Sequence, residues 1–169
     1  MIPKENNFAY IDGANLHKGI QELGWQLDYK KFRIFLREKY GVNKAYIFLG
    51  FIPTNANLYR DLQNWGYVVV FKPTLPDGAG EVKGNCDAEL VLQVVSDMYE
   101  SLYDDAVIVT GDGDFACLVK FLKEKGRFRV VISQNYRKAS VFLKKTAPDH
   151  IVFLDRFENR FKYEKNSYK

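Results

Sequence analysis

The chain has 169 residues, of which 47% are hydrophobic and 15% aromatic, material for one domain with one sizeable core. No segment reaches the roughly 18 consecutive apolar residues of a membrane span. The polar start Met1-Ile2-Pro3-Lys4-Glu5-Asn6-Asn7 lacks the apolar region of a signal peptide, so a soluble, cytoplasmic protein is expected.

The net charge of +4 is unevenly spread. Residues 1–119 carry 11 Lys and Arg against 16 Asp and Glu, whereas residues 120–145 carry nine against one. A basic C-terminal third beside acidic residues suits a polyanion that must approach carboxylates. Cys86 and Cys117 have neither the spacing nor the company for a zinc site or a disulfide framework, and both are expected to be small, buried, reduced side chains.

Short apolar runs alternate with amphipathic stretches of helical length. In chain order a strand is predicted at 8–11, helices at 15–23 and 29–39, a strand at 45–51, a helix at 55–65 and a strand at 67–71. A long helix at 87–103 follows, then a strand at 106–109, a helix at 115–125, a strand at 129–132, a helix at 137–145 and a strand at 151–154. The strands are nearly continuous in apolar character, as strands covered on both faces must be. Phe32, Phe35 and Leu36 repeat at the spacing of a helix with one buried face, as do Leu118, Phe121 and Leu122. Gly41, Gly66 and Gly126 stand where left-handed caps close helices. Residues 73–84, rich in Pro and Gly, are predicted as the one long irregular segment. The alternation predicts an α/β fold, a three-layer α/β/α sandwich around a mainly parallel sheet. The domain is expected over 1–155, with 156–169 as a basic tail, a short helix or disordered.

Four aspartates sit where strands end or helices begin. Asp12 follows Phe8-Ala9-Tyr10-Ile11, Asp112 and Asp114 follow Ala106-Val107-Ile108-Val109, and Asp87 opens the long helix. In an open α/β sheet, ligands bind beyond the carboxyl ends of the strands where strand order reverses, so Asp12 and Asp112 share that crevice if their strands are neighbours. Each aspartate also has a structural use as a turn residue, helix cap or first-turn charge. Four together at one end of a sheet repel one another unless a hard cation sits among them. Oxygen-only ligands with room for water describe a Mg²⁺ or Mn²⁺ site.

Tyr10-Ile11-Asp12-Gly13-Ala14-Asn15-Leu16, Lys83-Gly84-Asn85-Cys86-Asp87 and Thr110-Gly111-Asp112-Gly113-Asp114-Phe115 together resemble the three motifs of NYN domains, in the PIN-like nuclease superfamily and nearest the LabA-like branch. The resemblance spans about residues 8–155. It implies a PIN-like sheet in the order 3-2-1-4-5 and a metal-dependent endoribonuclease acting on RNA, with Asp12, Asp87, Asp112 and Asp114 as the acidic set. Asn15 and Thr110 match polar positions that shape the site. Within that set, Asp12 and Asp112 are expected to bind metal directly, while Asp87 and Asp114 complete the shell or orient the attacking water.

Single-stranded RNA is held by basic side chains and aromatic stacking, and Lys18, Lys83, Tyr136, Arg137 and Lys138 are the candidate contacts. Branches similar to LabA have regulatory associations, so a silent or slow module that binds RNA or a protein is the competing reading. A Toprim-like site expects glutamate where this chain has Asp12. A haloacid dehalogenase-type phosphatase places its Asp-x-Asp after the first strand, not the fourth.

Overall fold

A computed structural model describes residues 5–72 and 86–165. In chain order the elements are β1 (Asn7–Asp12), α1 (Gly13–Glu22), α2 (Tyr29–Tyr40), β2 (Val42–Gly50), α3 (Ala56–Asn64), β3 (Tyr67–Lys72), α4 (Asp87–Tyr99), β4 (Ala106–Val109), α5 (Ala116–Glu124), β5 (Phe128–Ser133), α6 (Val141–Thr146), β6 (Ile151–Phe153) and α7 (Glu158–Phe161). The six strands form one sheet in the order β3-β2-β1-β4-β5-β6, and every neighbouring pair is parallel. The expected order is thus present, with β6 added at one edge.

Successive strand side chains point to opposite faces, and the sheet buries both. From β1, Ala9 and Ile11 enter a core shared with Leu16 and Ile20 of α1, Phe32 and Leu36 of α2, and Leu62 of α3. Phe8 and Tyr10 enter the other core, with Leu90 and Val94 of α4, Leu118 and Leu122 of α5, and Leu143 of α6. The second core holds a buried polar junction. The Tyr10 hydroxyl donates to Asp97 Oδ2 at 2.8 Å, and Gln93 Nε2 donates to Oδ1 at 2.8 Å.

Several boundaries differ from expectation for identifiable reasons. α1 starts two residues early because the Asp12 carboxylate accepts from Asn15 N–H and caps it. α4 ends at Tyr99; the chain turns at Ser101 with φ 55° and returns Tyr103 to the core, where its hydroxyl donates to Val94 O. The helix expected at 137–145 is confined to α6. Ahead of it the chain makes one isolated turn, with Ala139 N–H donating to Asn135 O and Arg137 N–H to Asn135 Oδ1, and Ser140 then accepts from Phe142 N–H to cap α6. Gly41, Gly66 and Gly126 close helices at φ 61°, 89° and 65°. The cysteines depart from expectation too: Cys86, packed against the second core from the start of α4, is half-buried, and Cys117, at the start of α5, is exposed. Beyond Asp155, α7 brings Phe161 into full burial against Phe32 and Phe35.

Candidate functional site

β1 and β4 lie side by side with Ile11 opposite Val109, so Asp12 and Thr110 leave the sheet at the same level. Connections to β2 run one way from β1 and connections to β5 the other way from β4, which opens a crevice beyond their carboxyl ends. Thr110 is fully buried and organises the floor. Its hydroxyl donates to Asp12 Oδ2 at 3.3 Å and accepts from Asp112 N–H at 3.1 Å. Asp112 Oδ1 accepts from Asp114 N–H at 3.0 Å, which folds Gly113–Phe115 into a single 3-10 turn and holds both carboxylates on one side. A Cβ on Gly113 would collide with Ser140 Oγ, so glycine lets this turn sit against the cap of α6.

Asp87, Asp112 and Asp114 converge, each offering a carboxylate oxygen within 4.8 Å of the other two. Such an oxygen-only donor set is consistent with a divalent metal site. Asp12 stands outside this tightest group but inside its field. Burial, followed by the charges of Asp87 and Asp112, pushes its carboxyl up from 3.8 to about 6, against the hydrogen bonds from Asn15 and Thr110 that pull it down.

Asn15 ties the floor to the flank. Its Oδ1 accepts from Gly111 N–H at 2.8 Å and from Gln134 Nε2. Gln134 is buried immediately after β5 and would clash with any Cβ on Gly19 or Gly111, so it packs α1 against the β4 turn. Sequence reasoning passed over Gln134, although its place directly after a strand is the same signal that marked Asp12 and Asp112.

The expected RNA contacts separate into different places. Lys18 and Lys138 line a cleft of about 260 Å³ with Asn15 and Gln134, and Lys138 Nζ bonds Glu22 Oε2 at 2.6 Å across it. That hydrogen bond and the lysine's charge hold the Glu22 carboxyl below its usual value. Tyr136 lies elsewhere, edge-on to Phe153 with Lys144 and Arg156 over its ring. Arg137 is exposed on the loop between them. Lys83 lies outside the described residues, as does the segment 73–84. On the other side of the acidic group, Ala88, Val91, Leu92 and Val95 of α4 border an apolar hollow of about 470 Å³.

The chain belongs to the NYN domain family, whose model matches residues 8–155. The match carries the PIN-like α/β architecture described above and an acidic group at its crevice. Over 133 residues, 73% of this chain and 71% of the relative, the sequence is 31% identical to the low amplitude and bright protein LabA of Synechococcus elongatus. The crystal structure of a protein of unknown function from Vibrio parahaemolyticus shares the fold with a TM-score of 0.80 at 23% identity, covering 96% of this chain and 99% of that one. No helix among the described residues is long and apolar enough to cross a membrane.

Proposed function

We propose that this protein is a metal-dependent endoribonuclease that hydrolyses phosphodiester bonds of single-stranded RNA. The observation that carries the reading is the convergence of Asp87, Asp112 and Asp114 at the strand-order reversal, beside a carboxyl already raised to about 6. These three residues would hold Mg²⁺ or Mn²⁺, which neutralises phosphate charge, acidifies water and steadies the leaving oxygen.

The remaining work falls to the chain's own side chains. Asp12, fixed by Thr110 and Asn15 N–H, is placed to orient the attacking water and take its proton. One bond forms between water oxygen and phosphorus, one bond from phosphorus to a ribose oxygen breaks, and the proton passes to that departing oxygen. Asn15, Thr110 and Gln134 keep the two aspartate-bearing turns in register. Lys18 and Lys138 line the cleft through which a polyanionic strand approaches, and Glu22 holds Lys138 there until phosphate replaces it.

Cleavage of end-labelled single-stranded RNA in Mn²⁺, Mg²⁺ or EDTA, beside an Asp112→Ala/Asp114→Ala variant, tests this. Cleavage that needs metal and vanishes in the variant is expected. RNA bound but uncut in every condition would transfer the assignment to an RNA-binding regulatory module.

A further inference from the structure

On the face of the sheet that carries α1, α2 and α3 lies a cavity of about 350 Å³, within the range of small-molecule sites. It shares no lining residue with the acidic group. Trp25, Tyr29, Trp65 and Tyr163 supply aromatic walls, and Ile20 and Leu58 fill between them. Trp25 is almost fully buried and Tyr163 about half exposed, so the cavity has a fixed floor and an open mouth.

Four polar side chains also line it: His17 and Gln21 from α1, Gln26 from the loop after it, and Asp61 from α3. None of these side chains makes a hydrogen bond or ion pair with another described residue; His17, Gln21 and Gln26 are exposed around the mouth, and Asp61 is half-buried. At the crevice, by contrast, Thr110 and Gln134 both bond Asn15 Oδ1. Aromatic walls with unspent amide, imidazole and carboxylate groups make a ligand site of a particular kind. The rings stack on a planar ligand. Asp61 is acceptor-only, and its two oxygens match two adjacent N–H donors on one edge of that ligand. Gln21 and Gln26 can donate to acceptors on another edge.

Guanine has this pattern, with neighbouring ring and exocyclic N–H donors on one edge and carbonyl and ring-nitrogen acceptors on the other. Adenine offers a donor beside an acceptor at the first edge, and uracil a single donor between two acceptors. A quaternary ammonium would use the rings and the carboxylate but leave both amides idle. We propose that this cavity binds a guanine nucleoside moiety, stacked among Trp25, Trp65 and Tyr163 and paired through Asp61. The moiety comes either from a free nucleotide or from a base within RNA, and the base chemistry is the same in both cases.

The two tryptophans of the chain both line this cavity, so intrinsic tryptophan fluorescence reports on it alone. GMP, AMP, CMP and UMP are titrated in EDTA against the wild type, Asp61→Asn, Gln26→Ala and Asp112→Ala/Asp114→Ala, with each variant's thermal melting recorded. The expected result is saturable quenching by GMP with a Kd below about 1 mM, about tenfold or more weaker for the other nucleotides. Asp61→Asn should weaken GMP by at least about tenfold, Gln26→Ala should weaken it as well, and the double aspartate variant should bind as the wild type does. The same response to all four nucleotides, an absence of saturation, or GMP binding unchanged in both Asp61→Asn and Gln26→Ala overturns the proposal. A single-stranded oligouridine with one central guanosine separates the sources: tighter binding than GMP assigns the site to RNA, and tighter GMP assigns it to free nucleotide. GMP binding by the double variant keeps this outcome separate from that of the cleavage assay.

Discussion

Replacing Asp12 with asparagine should make the metal-free protein more stable at neutral pH. Asparagine keeps an oxygen to cap α1 and removes only the charge, so the change isolates the electrostatics of the crevice. In the native state burial and the neighbouring aspartates raise the Asp12 carboxyl from 3.8 to about 6. The sign follows from which state holds the proton. Below the unfolded value both states are protonated and the residue costs nothing. As pH rises towards the folded value the unfolded chain releases its proton first, so stability falls, and above about 6 the full cost is present. That cost is about 3 kcal/mol from the shift and about 2 kcal/mol once solvent screening at this half-buried position is allowed for.

The assay is urea or thermal unfolding of the wild type and Asp12→Asn in EDTA between pH 4 and pH 7.5. Any pH-independent cost of the amide cancels when the difference between the proteins is followed against pH. The variant should gain about 2 kcal/mol relative to the wild type across that range, or about 4–8 °C in Tm for a chain of this size. Saturating Mn²⁺ should then shrink the variant's advantage, because the charge of Asp12 adds to the field that draws the ion to Asp87, Asp112 and Asp114, and the wild type therefore gains more from binding it. A stability difference that does not change with pH would refute the argument that Asp12 carries a buried, repelled charge.

Other outcomes follow from the same geometry. Mn²⁺ at about 100 times its Kd should add about 2.7 kcal/mol to wild-type stability and nothing to Asp112→Ala/Asp114→Ala, measured by thermal shift. Asp97→Ala should cost about 2–3 kcal/mol in urea unfolding, because the fully buried Tyr10 hydroxyl loses its acceptor while the metal response survives. Phe161→Ala should cost about 3–5 kcal/mol in the same assay, since its ring is wholly buried between Phe32 and Phe35. Neutralising Lys18 and Lys138 together should lower the slope of log affinity for single-stranded RNA against log salt by about 1.4, and an unaltered slope would remove the cleft from the interface.

The sheet was legible because its strands are buried on both faces, which forces continuous apolar runs such as Ala106-Val107-Ile108-Val109. Resemblance supplied the strand order and Thr110, and the chemistry at strand ends picked out Asp12 and Asp112. What the sequence did not show is the direction of side chains once they leave the sheet. Asp12 spends its carboxylate on the cap of α1 and on Thr110, and so stands apart from the oxygens of Asp87, Asp112 and Asp114. Tyr136, Arg137 and Lys138 are adjacent in sequence and read together as candidate RNA contacts. They lie on the isolated turn ahead of α6, whose cap is Ser140, and they face different neighbours. Gln134 and Glu22 escaped notice because a single polar residue has no periodic pattern and declares itself only through its partners.

The polar residues around the crevice are best understood as the means of holding repelling charges in place. A fold free to relax would separate Asp87, Asp112 and Asp114. Here Asp112 and Asp114 are confined to one turn by the bond from Asp114 N–H to Asp112 Oδ1, and Asp87 begins a helix that Leu90 and Val94, one and two turns on along the same face, lock into the core. Thr110, Asn15 and Gln134 link the β1, β4 and β5 ends through hydrogen bonds that persist whichever way the carboxylates titrate. The repulsion is therefore stored in a framework that cannot move apart cheaply, and a cation entering the site recovers it as binding energy. That is why one neutral substitution at Asp12 is expected to stabilise the empty protein while weakening its response to metal. A stabilised Asp12→Asn protein with an undiminished Mn²⁺ shift would show that the charge of Asp12 adds nothing to cation binding at Asp87, Asp112 and Asp114 and would confine its role to the attacking water.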